Sequence, residues 1–287
     1  MKILCGPYSS VLESQYAQPP WSHLIFRYGS FAPAFIPEGR KALQSVLEEY
    51  IASGIDVIVT PTYRAGHHFQ KPRSHGVESI DQSLAFVSEI VQSVRKNHSH
   101  LQIWGSVGPY GDSYTAEGAP ETVEDSYEAH FPHIQALKEA GVDAVLFETA
   151  VRRSEIQGLL NISQELDLPT HISFYVNNDG LIPDPEGFKT ITQAISGLEG
   201  DFIAGINCSS TSAIEKALQQ GDHSQLKIIY PNSAEDFSGD HTACSHHGGE
   251  ELVSFFTTLV AQYPQIEVIG GCCGYKPEDI QVLRRSF

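Results

Sequence analysis

Five cysteines carry the most specific chemical signal in this 287-residue chain: Cys5, Cys208, Cys244, Cys272 and Cys273. Their number is odd, and the apolar run at the N-terminus is too short for an export signal, so a disulfide framework explains them poorly. Three sit in glycine-rich contexts, Gly205-Ile206-Asn207-Cys208 and Gly270-Gly271-Cys272-Cys273-Gly274. Zinc takes cysteine sulfur at about 2.3 Å in a tetrahedron, and a catalytic zinc keeps one position open. Cys208, Cys272 and Cys273 are therefore candidate Zn2+ ligands. Adjacent cysteines can ligate one ion where the backbone turns sharply, and the flanking Gly270, Gly271 and Gly274 supply that freedom. Two other readings stay open: Cys272 and Cys273 as small buried residues in a tight turn, or as a vicinal disulfide.

A metal site needs elements that bring Cys208 to Cys272 and Cys273. Apolar runs rich in β-branched residues recur at Lys2–Cys5, Ile55–Thr60, Leu101–Val107, Asp143–Phe147, Thr170–Phe174, Asp201–Asn207, Leu226–Tyr230 and Ile266–Ile269. They are apolar throughout, as parallel strands covered on both faces are. Amphipathic helical patterns lie between them, among them Gly39–Ser53, Ser79–Lys96, Thr122–Ala140 and Glu250–Gln262, and several end at glycine. Eight such units in 287 residues predict an α/β fold, a single (β/α)8 TIM barrel, with a doubly wound sheet as the runner-up. No linker or low-complexity tract divides the chain, so residues 1–287 are read as one barrel domain. In such a barrel the active site lies at the carboxyl ends of the strands. Cys208 closes the sixth predicted strand, and Cys272 and Cys273 follow the eighth, two places away around the barrel.

The formal charge is −17, with 41% hydrophobic and only 18% charged residues. That acidity, with no basic cluster to offset it, argues against a nucleic-acid or anionic membrane partner. No apolar stretch approaches the roughly 18 residues that cross a bilayer. The expectation is a soluble, cytoplasmic protein with small-molecule substrates. No heptad or arm fixes its oligomeric state, and a homodimer is one arrangement open to it.

The GGCCG and GxNC elements together resemble the zinc signature of the homocysteine S-methyltransferases. Supporting pieces fall in the family's order: Thr62-Tyr63-Arg64-Ala65, Gly105-Ser106-Val107-Gly108-Pro109-Tyr110-Gly111, Phe147-Glu148-Thr149 and Tyr230-Pro231-Asn232-Ser233. The resemblance covers nearly the whole chain. It implies zinc held by Cys208, Cys272 and Cys273, with the acceptor thiol completing the coordination and attacking a methyl group of a sulfonium-type donor, S-adenosylmethionine or S-methylmethionine. It implies that Glu148 receives the acceptor's amino group, a charge-assisted contact. Asn207, Tyr230 and Asn232 join Glu148 as catalytic candidates that orient ligands or line the pocket. Cys5, Thr62, Ser106, Val107, Glu148 and Thr149 are the expected substrate-binding set, and the amides of Gly105–Gly111 are expected to approach a substrate carboxylate.

Departures from the family pattern cluster in its amino-acid-binding half. Cys5 stands where an aspartate is usual, Pro61 replaces an asparagine, Ala234 replaces a glycine and Asp279 a histidine. The acceptor is therefore read as homocysteine or a related small thiol. Two further readings are a catalytically silent zinc-binding barrel and a methyltransferase component served by a separate corrinoid protein. A second His/Cys stretch, His241, Cys244, His246 and His247, reads as a solvated lid or pocket wall, and His67-His68 as surface residues.

Overall fold

The computed structural model describes residues 1–16, 18–24, 29–66, 80–185, 187–221, 223–234 and 247–287. The eight expected strands appear as β1 (Lys2–Ile3), β2 (Val57–Val59), β3 (Gln102–Val107), β4 (Ala144–Ala150), β5 (Thr170–Phe174), β8 (Ile203–Asn207), β9 (Leu226–Tyr230) and β10 (Val268–Ile269). All pair in parallel, in the order β1-β10-β9-β8-β5-β4-β3-β2. A single parallel bridge, Leu4 to Val57, brings the two ends of the sheet together into a nearly closed (β/α)8 barrel. The face that each strand turns toward the helices is apolar, with Ile58, Ile103, Val145, Ile172, Ala204 and Ile229 all buried, while inside the barrel Trp104 packs against His171 with ring centres 4.2 Å apart.

Helices return the chain between strands. They are α1 (Tyr8–Gln15), α2 (Pro37–Ala52), α3 (Ile80–Asn97), α4 (Val123–Ala140), α5 (Arg153–Glu165), the short α6 (Ile191–Ile195), α7 (Thr211–Leu218), α8 (Gly249–Gln262) and α9 (Pro277–Ser286). Local chemistry sets their ends. Helix α2 starts two residues before the expected Gly39 because Pro37 occupies a first-turn position, where a missing N–H costs nothing. Thr122 is the N-cap of α4, its hydroxyl accepting from the Asp125 amide at 3.0 Å. Gly141 closes the same helix in the left-handed region at φ 87°.

An antiparallel hairpin, β6 (Ile182–Asp184) and β7 (Gly187–Lys189), interrupts the pattern after β5. The sequence pattern does not announce it. Among the described residues no helix is long and apolar enough to cross a membrane. His67, His68, His241, Cys244 and His246 lie outside the described residues. His247 is within them, and its amide donates to the Ser233 carbonyl at 2.9 Å.

Candidate active site

A cavity of about 910 Å³ opens at the carboxyl ends of the barrel strands. Cys208, Cys272 and Cys273 share its wall, with sulfur atoms all within 4.8 Å of one another. Strand β9 explains why they converge, since it lies between the two cysteine-bearing strands and the segment after it bonds to both. The Asn232 side chain donates to the Cys208 carbonyl at 2.9 Å, and the Asn232 amide to the Ser209 carbonyl at 2.9 Å. On the other side Cys272 N–H donates to the Pro231 carbonyl at 2.7 Å, and Ser233 N–H to the Cys273 carbonyl at 3.0 Å. Cys208 sits in the left-handed region at φ 53°, turning its sulfur back over the barrel. Gly271 lets the second loop approach Tyr275, because a Cβ there would lie 2.7 Å from that side chain.

The donor set fits zinc. A tetrahedron with bonds of about 2.3 Å has sulfur–sulfur edges of about 3.8 Å, and Cys208 and Cys273 stand 3.6 Å apart. Hydrogen bonds that the Cys272 thiol donates to Cys208 and Cys273, burial and mutual repulsion push it well above its ordinary range. Holding three clustered thiols as thiolates requires a compensating cation, which a divalent metal supplies.

Glu148 faces the same cavity from β4. The β4–β5 register shifts between Phe147 and Ala150, and this bulge redirects the residues between them. One Glu148 carboxylate oxygen accepts from the Ser106 hydroxyl and the other from the Tyr230 hydroxyl at 3.0 Å. Burial pushes the Glu148 carboxyl up to about 7, against the two hydroxyls and with the help of Cys273. Tyr230→Phe removes a bond that favours the ionised carboxylate. The acid limb of any Glu148-dependent step is then expected to move up by up to about one pH unit in a pH–rate profile.

Thr149 adopts φ 53°, a strained conformation for a β-branched residue. Asn207 holds it there, its side-chain oxygen accepting the Thr149 amide at 2.9 Å. Asn207→Ala orphans that buried N–H and is expected to cost about 1–3 kcal/mol in urea unfolding, while loosening the turn that presents Glu148.

Cys5, Ser106, Thr149, Asn207, Tyr230 and Asn232 line the cavity with Glu148 and the three metal-ligand candidates. Thr62 and Val107 do not. The Thr62 hydroxyl donates to the Ser106 carbonyl at 2.7 Å, and Val107 is wholly buried beside Phe147, so both brace the wall from behind. The Cys5 sulfur accepts the Val59 amide at 3.2 Å, and burial pushes its thiol up to about 12, so it stays neutral. Two amides of the Gly105–Gly111 loop are engaged within the protein. Gly108 N–H donates to the Tyr63 carbonyl at 3.0 Å, and Tyr110 N–H to the Glu155 carboxylate.

Wall residues to which the sequence pattern assigns no role include Tyr63, Ser113, Tyr114 and Arg64. The Tyr63 hydroxyl bonds to Thr149 and, at 2.6 Å, to Ser113. The Tyr114 hydroxyl lies 3.9 Å from the Cys208 sulfur. An available signal for Tyr114 was the preceding Asp112, whose side chain accepts the Tyr114 and Thr115 amides in a tight turn.

Three clustered cysteines and a buried carboxyl at the carboxyl ends of the strands give the chain the site layout of a (β/α)8-barrel enzyme. The chain belongs to the homocysteine S-methyltransferase family, whose model matches residues 2–287. Membership places it among the methyltransferases acting on a thiol. It is similar to the homocysteine S-methyltransferase of Escherichia coli (27% identical, 86% of this chain and 84% of that one). It is also similar to homocysteine S-methyltransferase 2 of Saccharomyces cerevisiae (26%, 98% and 92%). A selenocysteine Se-methyltransferase of Brassica oleracea is 22% identical over 85% of this chain and 79% of its own. The fold matches the homocysteine methyltransferase MmuM of Escherichia coli in its metallated form, with TM-score 0.75, 22% identity, and coverage of 100% of this chain and 96% of that one.

Proposed function

We propose that this protein transfers a methyl group from a sulfonium donor, S-adenosylmethionine or S-methylmethionine, to homocysteine or a related small thiol, with zinc held by Cys208, Cys272 and Cys273. The observation that carries the reading is the convergence of those three sulfurs within 4.8 Å on the wall of a cavity large enough for both substrates. When bound, zinc supplies the positive charge that keeps the acceptor sulfur a thiolate at neutral pH.

The chain's own residues position the rest. Ionised Glu148 receives the acceptor's ammonium group, and Ser106 and Tyr230 fix the carboxylate by hydrogen bonds to its two oxygens. Asn232 holds the Cys208 loop, and Asn207 with Thr149 holds the turn that carries Glu148. Neutral Cys5 adds no second negative charge for the ammonium. The acceptor proton leaves on ionisation, and the thiolate lone pair forms the new sulfur–carbon bond. The donor's sulfur–carbon bond breaks with its electron pair retained, giving a neutral thioether. Holding both sulfurs in one cavity makes the displacement effectively intramolecular.

A thiol-by-donor screen on zinc-loaded protein, read by mass spectrometry, tests the reading. The expected result is methylated thiol with at least one sulfonium donor. Absence of product from every pair, or product only when methylcobalamin is added, overturns it.

A further inference from the structure

The cavity wall carries charges of both signs. Glu148 carries the negative charge, and Arg64 carries a positive one. A short bonded path joins them: Glu148 precedes Thr149, the Thr149 hydroxyl bonds to the Tyr63 hydroxyl, and Tyr63 precedes Arg64. The Arg64 guanidinium carbon lies 5.4 Å from the centre of the Tyr63 ring, a cation–π contact with a ring that Thr149 and Ser113 anchor. Arg64 also feels Asp112. That carboxyl lies below its usual range because amides of Tyr114 and Thr115, the Thr115 hydroxyl and Arg64 together outweigh burial. Among the described residues the other charged groups of the wall are Glu13 and Lys276.

The placement of Arg64 poses an electrostatic problem for a sulfonium substrate. A guanidinium is charged at every working pH and opposes a bare cation entering the same cavity. The opposition is relieved when the entering molecule also brings an anion, and the planar guanidinium matches a carboxylate with two parallel hydrogen bonds. A wall that offers both a carboxylate and a guanidinium complements a zwitterion. Lys276, by contrast, stands at the N-cap of α9.

We propose that Arg64 is the specificity-determining residue that recognises a substrate carboxylate, selecting carboxylate-bearing substrates over their neutral esters. This deepens the methyltransferase reading and rests on it. The carboxylate belongs to the methyl donor or to the thiol acceptor, and the test separates the two.

Isothermal titration of zinc-loaded protein would use S-methylmethionine and its methyl ester, and homocysteine and its methyl ester. Wild type is expected to bind one acid at least about tenfold more tightly than its ester, the scale of a charge-assisted hydrogen-bonded pair. Arg64→Gln should cut that preference to about twofold or less, and Arg64→Lys should leave it intermediate, since the charge is kept and the fork is lost. Lys276→Gln should leave it intact. The pair whose preference collapses identifies the substrate that Arg64 holds. A preference absent from wild type, or unchanged by Arg64→Gln for both pairs, overturns the proposal. Methyl transfer combined with Arg64-independent binding defeats this inference alone. Arg64-dependent binding without methyl transfer defeats the methyltransferase reading alone. Circular dichroism of each variant checks that the fold is retained.

Discussion

Cys208→Ala is expected to leave the purified protein with little zinc and to lower methyl transfer more than about a hundredfold, since losing even an outer partner of a metal ligand costs about 10–100-fold. The fold should survive the change. What holds the Cys208 loop is main-chain geometry: the Cys208 carbonyl accepts from Asn232, and the Cys208 amide donates to the Tyr230 carbonyl at 3.3 Å. Neither bond involves the sulfur. Zinc measured per chain by mass spectrometry, alongside circular dichroism, separates loss of the site from loss of the fold. Binding also carries a pH signature. Protons must leave three thiols, of which Cys208 and Cys272 hold theirs well above the ordinary range, so apparent zinc affinity should fall steeply as pH falls. A Cys208→Ala protein with full zinc and unchanged turnover would sink the assignment.

The three cysteines were legible in the sequence because two local signals coincided: sulfur at the ends of apolar runs, and glycines where the chain must turn. The strands were legible for a related reason, since a parallel strand buried on both faces is apolar throughout. The hairpin of β6 and β7 was not, because each strand is three residues long and Pro183 sits within the first, which reads as loop. Within the site, alternation decides what sequence proximity cannot. Ser106 and Val107 are consecutive on β3 and so point to opposite faces, which is why Ser106 reaches Glu148 while Val107 packs behind. The cradle of Glu148 joins β3, β4 and β9, strands far apart in sequence, and only the closed barrel brings them together. The glycine-rich loop shows the opposite failure. Its composition suited an anion, yet Tyr63 and Glu155 take two of its amides.

Glu148→Gln should raise KM for an amine-bearing thiol by about 10–100-fold, the cost of a charge-assisted pair, and leave a thiol without an amino group little affected. The contrast between acceptors is the decisive readout, because a purely structural role would lower both alike. The pH dependence follows from the carboxyl lying near 7. Only the ionised form pairs with an ammonium, so kcat/KM for the amino thiol should fall below about pH 7, approaching tenfold per unit. In Glu148→Gln that limb should vanish. Stability moves in the opposite sense. The folded carboxyl is raised from its ordinary 4.5 to about 7, so its contribution is fully present below 4.5 and is lost as pH rises through 7. Wild type should therefore lose up to about 3 kcal/mol relative to Glu148→Gln between pH 4.5 and 8 in urea unfolding, the free energy of moving a carboxyl from 4.5 to about 7. A variant that loses amine selectivity while gaining stability at high pH would show a carboxylate kept buried, at a cost to the fold, for the substrate it binds. Equal loss for both acceptors, with an unchanged pH profile, would move the amine contact away from Glu148.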